Sequence, residues 1–219
     1  MKLHPHSKAN RWGFTLTEFF IIVVVLAVLA AAFLPAFMKA RVRASRLNCV
    51  NQLKQAGLAF RTWAQYYGDN YPMQVSVTNG GTRELIQSGK VYPHFLVMSN
   101  ELNTPKILVC PEDKTRGPIS SFTTNFGDAN ISYFIGLDAQ ATQPQMLLAG
   151  DRNLEFDGVT TKTGIVNLTT NNMLSWTKAM HRRRGYVLLV DGSVHLTDKD
   201  QLVQLLRATG TATNRLAIP

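Results

Sequence analysis

Gly13-Phe14-Thr15-Leu16-Thr17-Glu18, followed by Phe19-Phe20-Ile21-Ile22-Val23-Val24-Val25-Leu26, is the stretch on which the fold turns. Residues 19–34 carry no polar side chain, and between residues 14 and 38 only Thr15, Thr17 and Glu18 interrupt the apolar run. A helix rises about 1.5 Å per residue and needs about 20 residues to cross a bilayer. β-branched residues crowd positions 21–25, but in lipid a single segment satisfies its backbone only as a helix. The run therefore predicts a transmembrane helix over 14–38. Glu18 is the anomaly. A carboxylate at the edge of a span is costly and calls for a partner, although in the first turn it would also meet the positive end of the helix dipole.

Towards the C-terminus the helix continues as an amphipathic segment, 39–67. Leu47, Val50, Leu53, Leu58, Phe60 and Trp63 recur near a helical period, with Arg46, Asn51, Lys54 and Arg61 between them. Pro35 is placed to kink the helix. Gly68 and Asn70 can take positive φ and stop it. Towards the N-terminus lie Lys2, Lys8 and Arg11, and Gly13 directly precedes the apolar run.

Gly-Phe-Thr-Leu-Thr-Glu ahead of about twenty apolar residues resembles the N-terminus of type IV prepilins and type II secretion pseudopilins. In that family a prepilin peptidase cuts after the glycine and the new N-terminal phenylalanine is methylated. The resemblance makes 1–13 a leader peptide and Gly13 and Phe14 the processing site. It places Glu18 at the family's fifth mature position and Pro35 at its proline position. It also gives Glu18 a partner, the amino terminus of Phe14 in a neighbouring subunit, so that Phe14, Glu18 and Pro35 become assembly residues. The implied setting is the bacterial inner membrane, crossed once, with the C-terminal domain in the periplasm or outside the cell. The implied partners are prepilin peptidase, other pilin or pseudopilin subunits, the inner-membrane assembly machinery and membrane lipid.

The 219 residues carry a formal charge of +9. Without Lys2, Lys8 and Arg11 the basic residues fall from 23 to 20 against 14 acidic, leaving +6. That charge is compatible with nucleic acid, anionic lipid or an acidic partner and selects none of them. Cationic residues flank both ends of the span, Lys39, Arg41, Arg43 and Arg46 on the far side, so orientation rests on the resemblance and not on the positive-inside rule. Cys49 and Cys110 stay open between a disulfide and two buried thiols.

The remaining residues, 68–219, read as one globular α+β domain. A short helix is expected near 82–86, ending at Gly89, and a further turn near 92–98. Strand-like runs are Lys106-Ile107-Leu108-Val109, residues 131–136 and residues 145–150. Residues 159–172 commit to nothing. Tyr186-Val187-Leu188-Leu189-Val190, Asp191-Gly192 and Ser193-Val194-His195-Leu196 read as a β-hairpin with a two-residue type I′ turn. Thr197 or Asp198 caps a last helix over 199–207, and 209–219 is a tail. A long N-terminal helix packed on an antiparallel sheet is the expected architecture, and it is the pilin-like fold that the resemblance implies.

His181 and Asp191-Gly192, with nine residues between them, Trp176 ahead and a Ser-Val strand behind, resemble the C-terminal motif of a prepilin-like family named for it. Cys110-Pro111-x-Asp113, Ser132-Tyr133 and Gly150-Asp151-Arg152-Asn153 also look like that family's blocks, whereas Arg184-Gly185-Tyr186 departs from the expected Gly-Asn-like pair. Asp191-Gly192 needs no role beyond a turn, and His181 has structural partners in Asp151 or Asp191. Major pseudopilins carry calcium in a C-terminal loop, and Asp191, Asp198 and Asp200 are hard donors close in sequence, but they form no EF-hand-like series. A hydrolase would use His181 or His195 with Asp151 or Asp191, yet no nucleophile motif is present, so no catalytic residue is assigned. Arg182-Arg183-Arg184 is the dense basic run, a solvated loop or a contact for DNA.

Overall fold

The computed structural model describes residues 13–169 and 172–219. Lys2, Lys8 and Arg11 of the expected leader lie outside the described residues, as does the side chain of Pro35. The chain divides into two units, Met1–Ala44 and Ser45–Pro219. Helix α1, Leu16–Tyr66, starts in the first unit and ends in the second.

In the first unit every described side chain from residue 13 to 44 is exposed. Between residues 14 and 38 these include sixteen large hydrophobics, Phe14, Phe19, Phe20 and Ile21 among them. Burying each such side chain is worth roughly 1.5–3 kcal/mol, so together they amount to tens of kcal/mol. The segment is long and apolar enough to cross a membrane.

In the second unit α1 buries Cys49, Leu53, Ala56, Phe60 and Trp63, spaced by three and four residues as one helical face requires. Gly68 at φ +63° ends the helix, and the Asp69 N–H returns to the Ala64 carbonyl at 2.9 Å. The second left-handed residue is Asp69, not the expected Asn70, whose amide instead donates to the Tyr67 and Gly68 carbonyls.

Among the described residues nine strands form two antiparallel sheets. They are β1 Tyr133–Gly136, β2 Leu147–Asp151, β3 Leu154–Phe156, β4 Val159–Thr160, β5 Gly164–Thr169, β6 Leu174–Trp176, β7 Gly185–Leu189, β8 Val194–Thr197 and β9 Thr213–Ile218. The larger sheet has the order β5-β9-β1-β2-β7-β8 and the smaller β4-β3-β6. The α+β class expected from sequence is therefore present, a long N-terminal helix with an antiparallel-sheet domain.

The larger sheet is covered on both faces. Tyr133, Ile135, Leu148, Tyr186 and Leu188 join the α1 residues in one core. Phe95 of the helical turn α2, Tyr92–Leu96, adds to it, as does Met98, which directly precedes the turn α3, Ser99–Leu102. Phe134, Leu147, Val187 and Leu189 face the other way, against Leu154, Leu174 and Trp176 of the smaller sheet and Leu202 and Leu206 of helix α4, Lys199–Ala208. This is why the central strands are apolar at consecutive positions instead of alternating.

Several expectations are corrected. Lys106-Ile107-Leu108-Val109 is not a strand: Pro105–Leu108 is a 3-10 turn, with proline at its start and the Thr104 hydroxyl accepting from the Lys106 N–H. The uncommitted 159–172 stretch contains β4 and β5, and the supposed tail contains β9, which pairs β5 from Gly164↔Ile218 to Thr169↔Thr213. The hairpin β7–β8 exists, but Asp191-Gly192 is not a type I′ turn. Gly192 has positive φ and Asp191 does not. The Gly192 N–H returns to the Leu189 carbonyl and the Leu189 N–H to the Ser193 carbonyl, both at 3.0 Å, a type I turn with a glycine bulge. The N–H groups of Val190 and Asp191 are drawn instead to the carbonyls of Met146 and Pro144. The I′ geometry belongs to Asp157-Gly158, at φ 50° and 80° between the paired Phe156 and Val159. Of the two proposed caps for α4, Asp198 serves, accepting from the Gln201 N–H at 3.0 Å.

Gly185 opens β7 against the ring of Trp176, so that a Cβ there would overlap the indole. The indole is fixed by its N–H bond to Thr197 Oγ1, 3.2 Å, and that hydroxyl donates to the Gly185 carbonyl. Gly185→Ala should destabilise the chain by about 1–3 kcal/mol through overpacking, a melting temperature lower by several degrees. Gly117→Ala, with open space around it, should leave it unchanged; thermal unfolding of both variants checks this.

Candidate functional site

Each unit carries one site. In the first unit Thr15-Leu16-Thr17-Glu18 forms a capping box. The Thr15 N–H donates to Glu18 Oε2 at 2.9 Å, and the Glu18 N–H donates to Thr15 Oγ1 at 3.3 Å. The Thr15 hydroxyl also donates to Glu18 Oε2, at 2.7 Å. Glu18 thus has a partner inside its own chain that the sequence reading missed, although Ser/Thr-x-x-Glu before an apolar run was the signal for it. The carboxylate remains exposed at the helix start, as are Gly13 and Phe14.

In the second unit the residues singled out one by one from the sequence converge. Cys49 of α1 and Cys110 are joined in a disulfide across 61 residues; closing a loop of that length stabilises by about 4 kcal/mol. His181 Nε2 lies 3.3 Å from Cys110 Sγ and 3.4 Å from Asp151 Oδ2. Asp151, at the end of β2, is fully buried and accepts the Tyr186 N–H at 2.7 Å. Burial pushes its carboxyl up to about 8 and pushes the His181 imidazole below its ordinary value. Both shifts favour an uncharged pair over an ion pair. The neighbouring Arg152 grips Asp113 with two hydrogen bonds, 2.7 and 3.2 Å. Burial opposes ionisation of Asp113, but these bonds and those from Thr115 hold it below the usual carboxylate range.

His181, Arg182 and Arg183 take φ of 49°, 55° and 63° in succession. Left-handed backbone costs about 1–2 kcal/mol per non-glycine residue and persists where the surroundings over-determine it. Asn153 supplies that constraint. Its amide lies 3.3 Å from each of the carbonyls of Thr177, Met180 and Arg184, on both sides of the turn. The turn points His181 into the core and leaves Arg182, Arg183 and Arg184 exposed.

The two ends of the His181/Asp191-Gly192 motif have separate surroundings. Asp191 accepts the Ser193 N–H at 2.8 Å in the exposed hairpin turn, whereas His181 pairs with Asp151. His195, the exposed residue of half-buried β8, has its Nε2 2.8 Å from Ser193 Oγ. Among the described residues, the calcium candidates Asp191, Asp198 and Asp200 form no group able to hold a metal. The ligand atoms of Cys49, Cys110 and His181 do lie within 4.8 Å of one another, with the two sulfurs bonded to each other.

Fold and sites define an α+β protein with a disulfide-pinned domain and an apolar N-terminal helix long enough to cross a membrane. No known protein family, curated protein or solved structure matches the chain.

A second buried histidine makes the domain acid-sensitive. His94 Nδ1 shares a 2.7 Å hydrogen bond with Thr82 Oγ1, both residues fully buried, and burial lowers its pKa to about 4. The unfolded chain takes up this proton near pH 6.5 and the folded chain only near 4, so stability falls as pH drops through that window. The loss amounts to about 3 kcal/mol. His94→Gln should flatten this fall, measured by denaturant unfolding at pH 7 and at pH 4.

Proposed function

We propose that the chain is a prepilin-like, membrane-anchored filament subunit, most specifically a type II secretion pseudopilin-like protein. The observation that supports it is a helix exposed and apolar on all sides, opened by one carboxylate five residues after Gly13. Prepilin peptidase cuts between Gly13 and Phe14, and Phe14 is methylated. The subunit stays in the inner membrane by residues 14–38, with its domain in the periplasm, until the assembly machinery draws it into a filament of like subunits. The role is structural and not enzymatic: apolar helix faces pack together, and Glu18 sets register by leaving its own cap for the amino terminus of Phe14 on a neighbour.

A second reading, a surface pilin that binds DNA, draws on the exposed Arg182-Arg183-Arg184 turn, whose three charges would give salt-sensitive binding. A membrane-anchored domain that never polymerises is separated from both by Glu18. Glu18→Gln keeps an acceptor for the Thr15 N–H, as capping boxes with glutamine do, but removes the charge. Sheared filament from cells carrying Glu18→Gln should drop by about tenfold or more while the protein remains in the membrane fraction. Wild-type filament yield from that variant would refute the register role.

A further inference from the structure

The buried cluster around His181 carries an inference independent of filament assembly. The sulfurs of Cys49 and Cys110 and a ring nitrogen of His181 lie within 4.8 Å of one another, and all three residues are buried. His181 Nε2 is 3.3 Å from Cys110 Sγ on one side and 3.4 Å from Asp151 Oδ2 on the other. Tetrahedral zinc holds sulfur at about 2.3 Å and nitrogen or oxygen at about 2.0–2.2 Å, which sets neighbouring ligand atoms about 3.4–3.8 Å apart. The Cys110–His181 and His181–Asp151 separations already have that length, whereas Asp151 lies outside the group of three that gathers within 4.8 Å, so its carboxylate must turn towards the sulfurs to complete the tetrahedron. A third edge forms when the sulfurs, bonded in the oxidised chain, separate by about 1.7 Å.

The four groups come from four places in the fold: α1, the segment before Pro111, the end of β2 and the left-handed turn before β7. Their convergence does not depend on any one loop. Asp151 Oδ1 and His181 Nδ1 are buried without a hydrogen-bond partner. The Asp151 carboxylate beside the disulfide is thus only partly satisfied, a condition that buried polar groups in folded proteins seldom tolerate, whereas His181 Nδ1 points away from the sulfurs and bears on neither state. Half-buried Arg46, close enough for its charge to act on His181, offsets the excess negative charge that two thiolates and a carboxylate bring to a dication.

We propose that Cys49, Cys110, His181 and Asp151 are a redox-gated zinc site. It is a disulfide in the oxidised chain and, in the reduced chain, a centre of two thiolates, one imidazole and one carboxylate for a single Zn2+. Reduction by a phosphine breaks the S–S bond; phosphorus takes the oxygen of a water molecule to become the phosphine oxide, and the two sulfurs take its two protons. Zinc then releases the thiol protons, and any proton on Asp151, to solvent. It binds two thiolates, the neutral imidazole at Nε2 and the carboxylate. Reoxidation to the disulfide, by a disulfide-bearing oxidant that is reduced to its dithiol, expels the ion.

The full chain in detergent micelles, reduced with a phosphine under anaerobic conditions and titrated with Co2+, tests this. One equivalent should produce the visible bands of tetrahedral cobalt and a near-ultraviolet thiolate-to-cobalt transition, and Zn2+ should abolish both. The oxidised chain should show neither. His181→Ala and Asp151→Asn, in the reduced chain, should each weaken Co2+ binding by roughly 10–100-fold or more. A reduced wild-type chain that keeps its circular dichroism but lacks these bands overturns the proposal. So do bands whose affinity neither variant changes, since the metal would then sit on the thiols alone. If reduction itself unfolds the domain, recovery of the circular dichroism on adding Zn2+ supports the site, and no recovery overturns it.

Discussion

A helix that is apolar on every side has no stable place in water, and this constraint governs the N-terminal unit. Nothing in the described chain buries Phe14, Phe19, Phe20, Ile21 or the residues that follow. Their cost in solvent, of order tens of kcal/mol, exceeds the few kcal/mol by which an ordinary domain is stable. The segment therefore requires an apolar surrounding, and it is long enough for a bilayer to supply it. That surrounding places a demand on Glu18, a charge that must be solvated, capped or paired. The capping box meets that demand inside one chain, with a carboxylate close to the position where processing would create a new amino terminus.

The second unit solves a different problem. Its central strands carry apolar side chains on both faces, so both must be covered. Residues 45–66 of α1 cover one, and α4 with the β4-β3-β6 sheet covers the other. Helix α1, the Cys110–Asp113 segment, the end of β2 and the turn before β7 meet at the disulfide, the Asp151–His181 pair and the Asp113–Arg152 pair. Asn153 then holds the left-handed turn that delivers His181. The buried polar cluster specifies how the loops meet, while the two apolar cores supply most of the stabilisation.

The sequence made some of this legible and hid the rest for physical reasons. The apolar run and the Cys49-Leu53-Ala56-Phe60-Trp63 face are local periodicities, so α1 could be read to within a residue or two. Strands β5 and β9 pair across some fifty residues, and nothing local in Thr213-Asn214-Arg215-Leu216-Ala217-Ile218 announces a partner. Lys106-Ile107-Leu108-Val109 has strand-like composition, but Pro105 and the Thr104 cap set its backbone first. Asp-Gly reads as a hairpin turn at Asp191-Gly192, yet only at Asp157-Gly158, which the sequence reading does not single out, do both residues take the positive φ that type I′ requires; at Asp191 the pull of Met146 and Pro144 on the strand end prevents it. Cys110, Asp113, Asp151, Arg152 and His181 all stood out as residues, but their convergence is a property of the fold. The Thr15–Glu18 box is a local feature, legible as Thr-x-x-Glu before an apolar run.

The measurement that tests the central claim most directly is mass spectrometry of the N-terminal peptide from the membrane-extracted protein, taken from cells with an active prepilin peptidase. A chain beginning at Phe14 and carrying one added methyl group is the predicted result. A chain still carrying residues 1–13 would contradict it and leave a membrane-anchored domain outside the prepilin pathway.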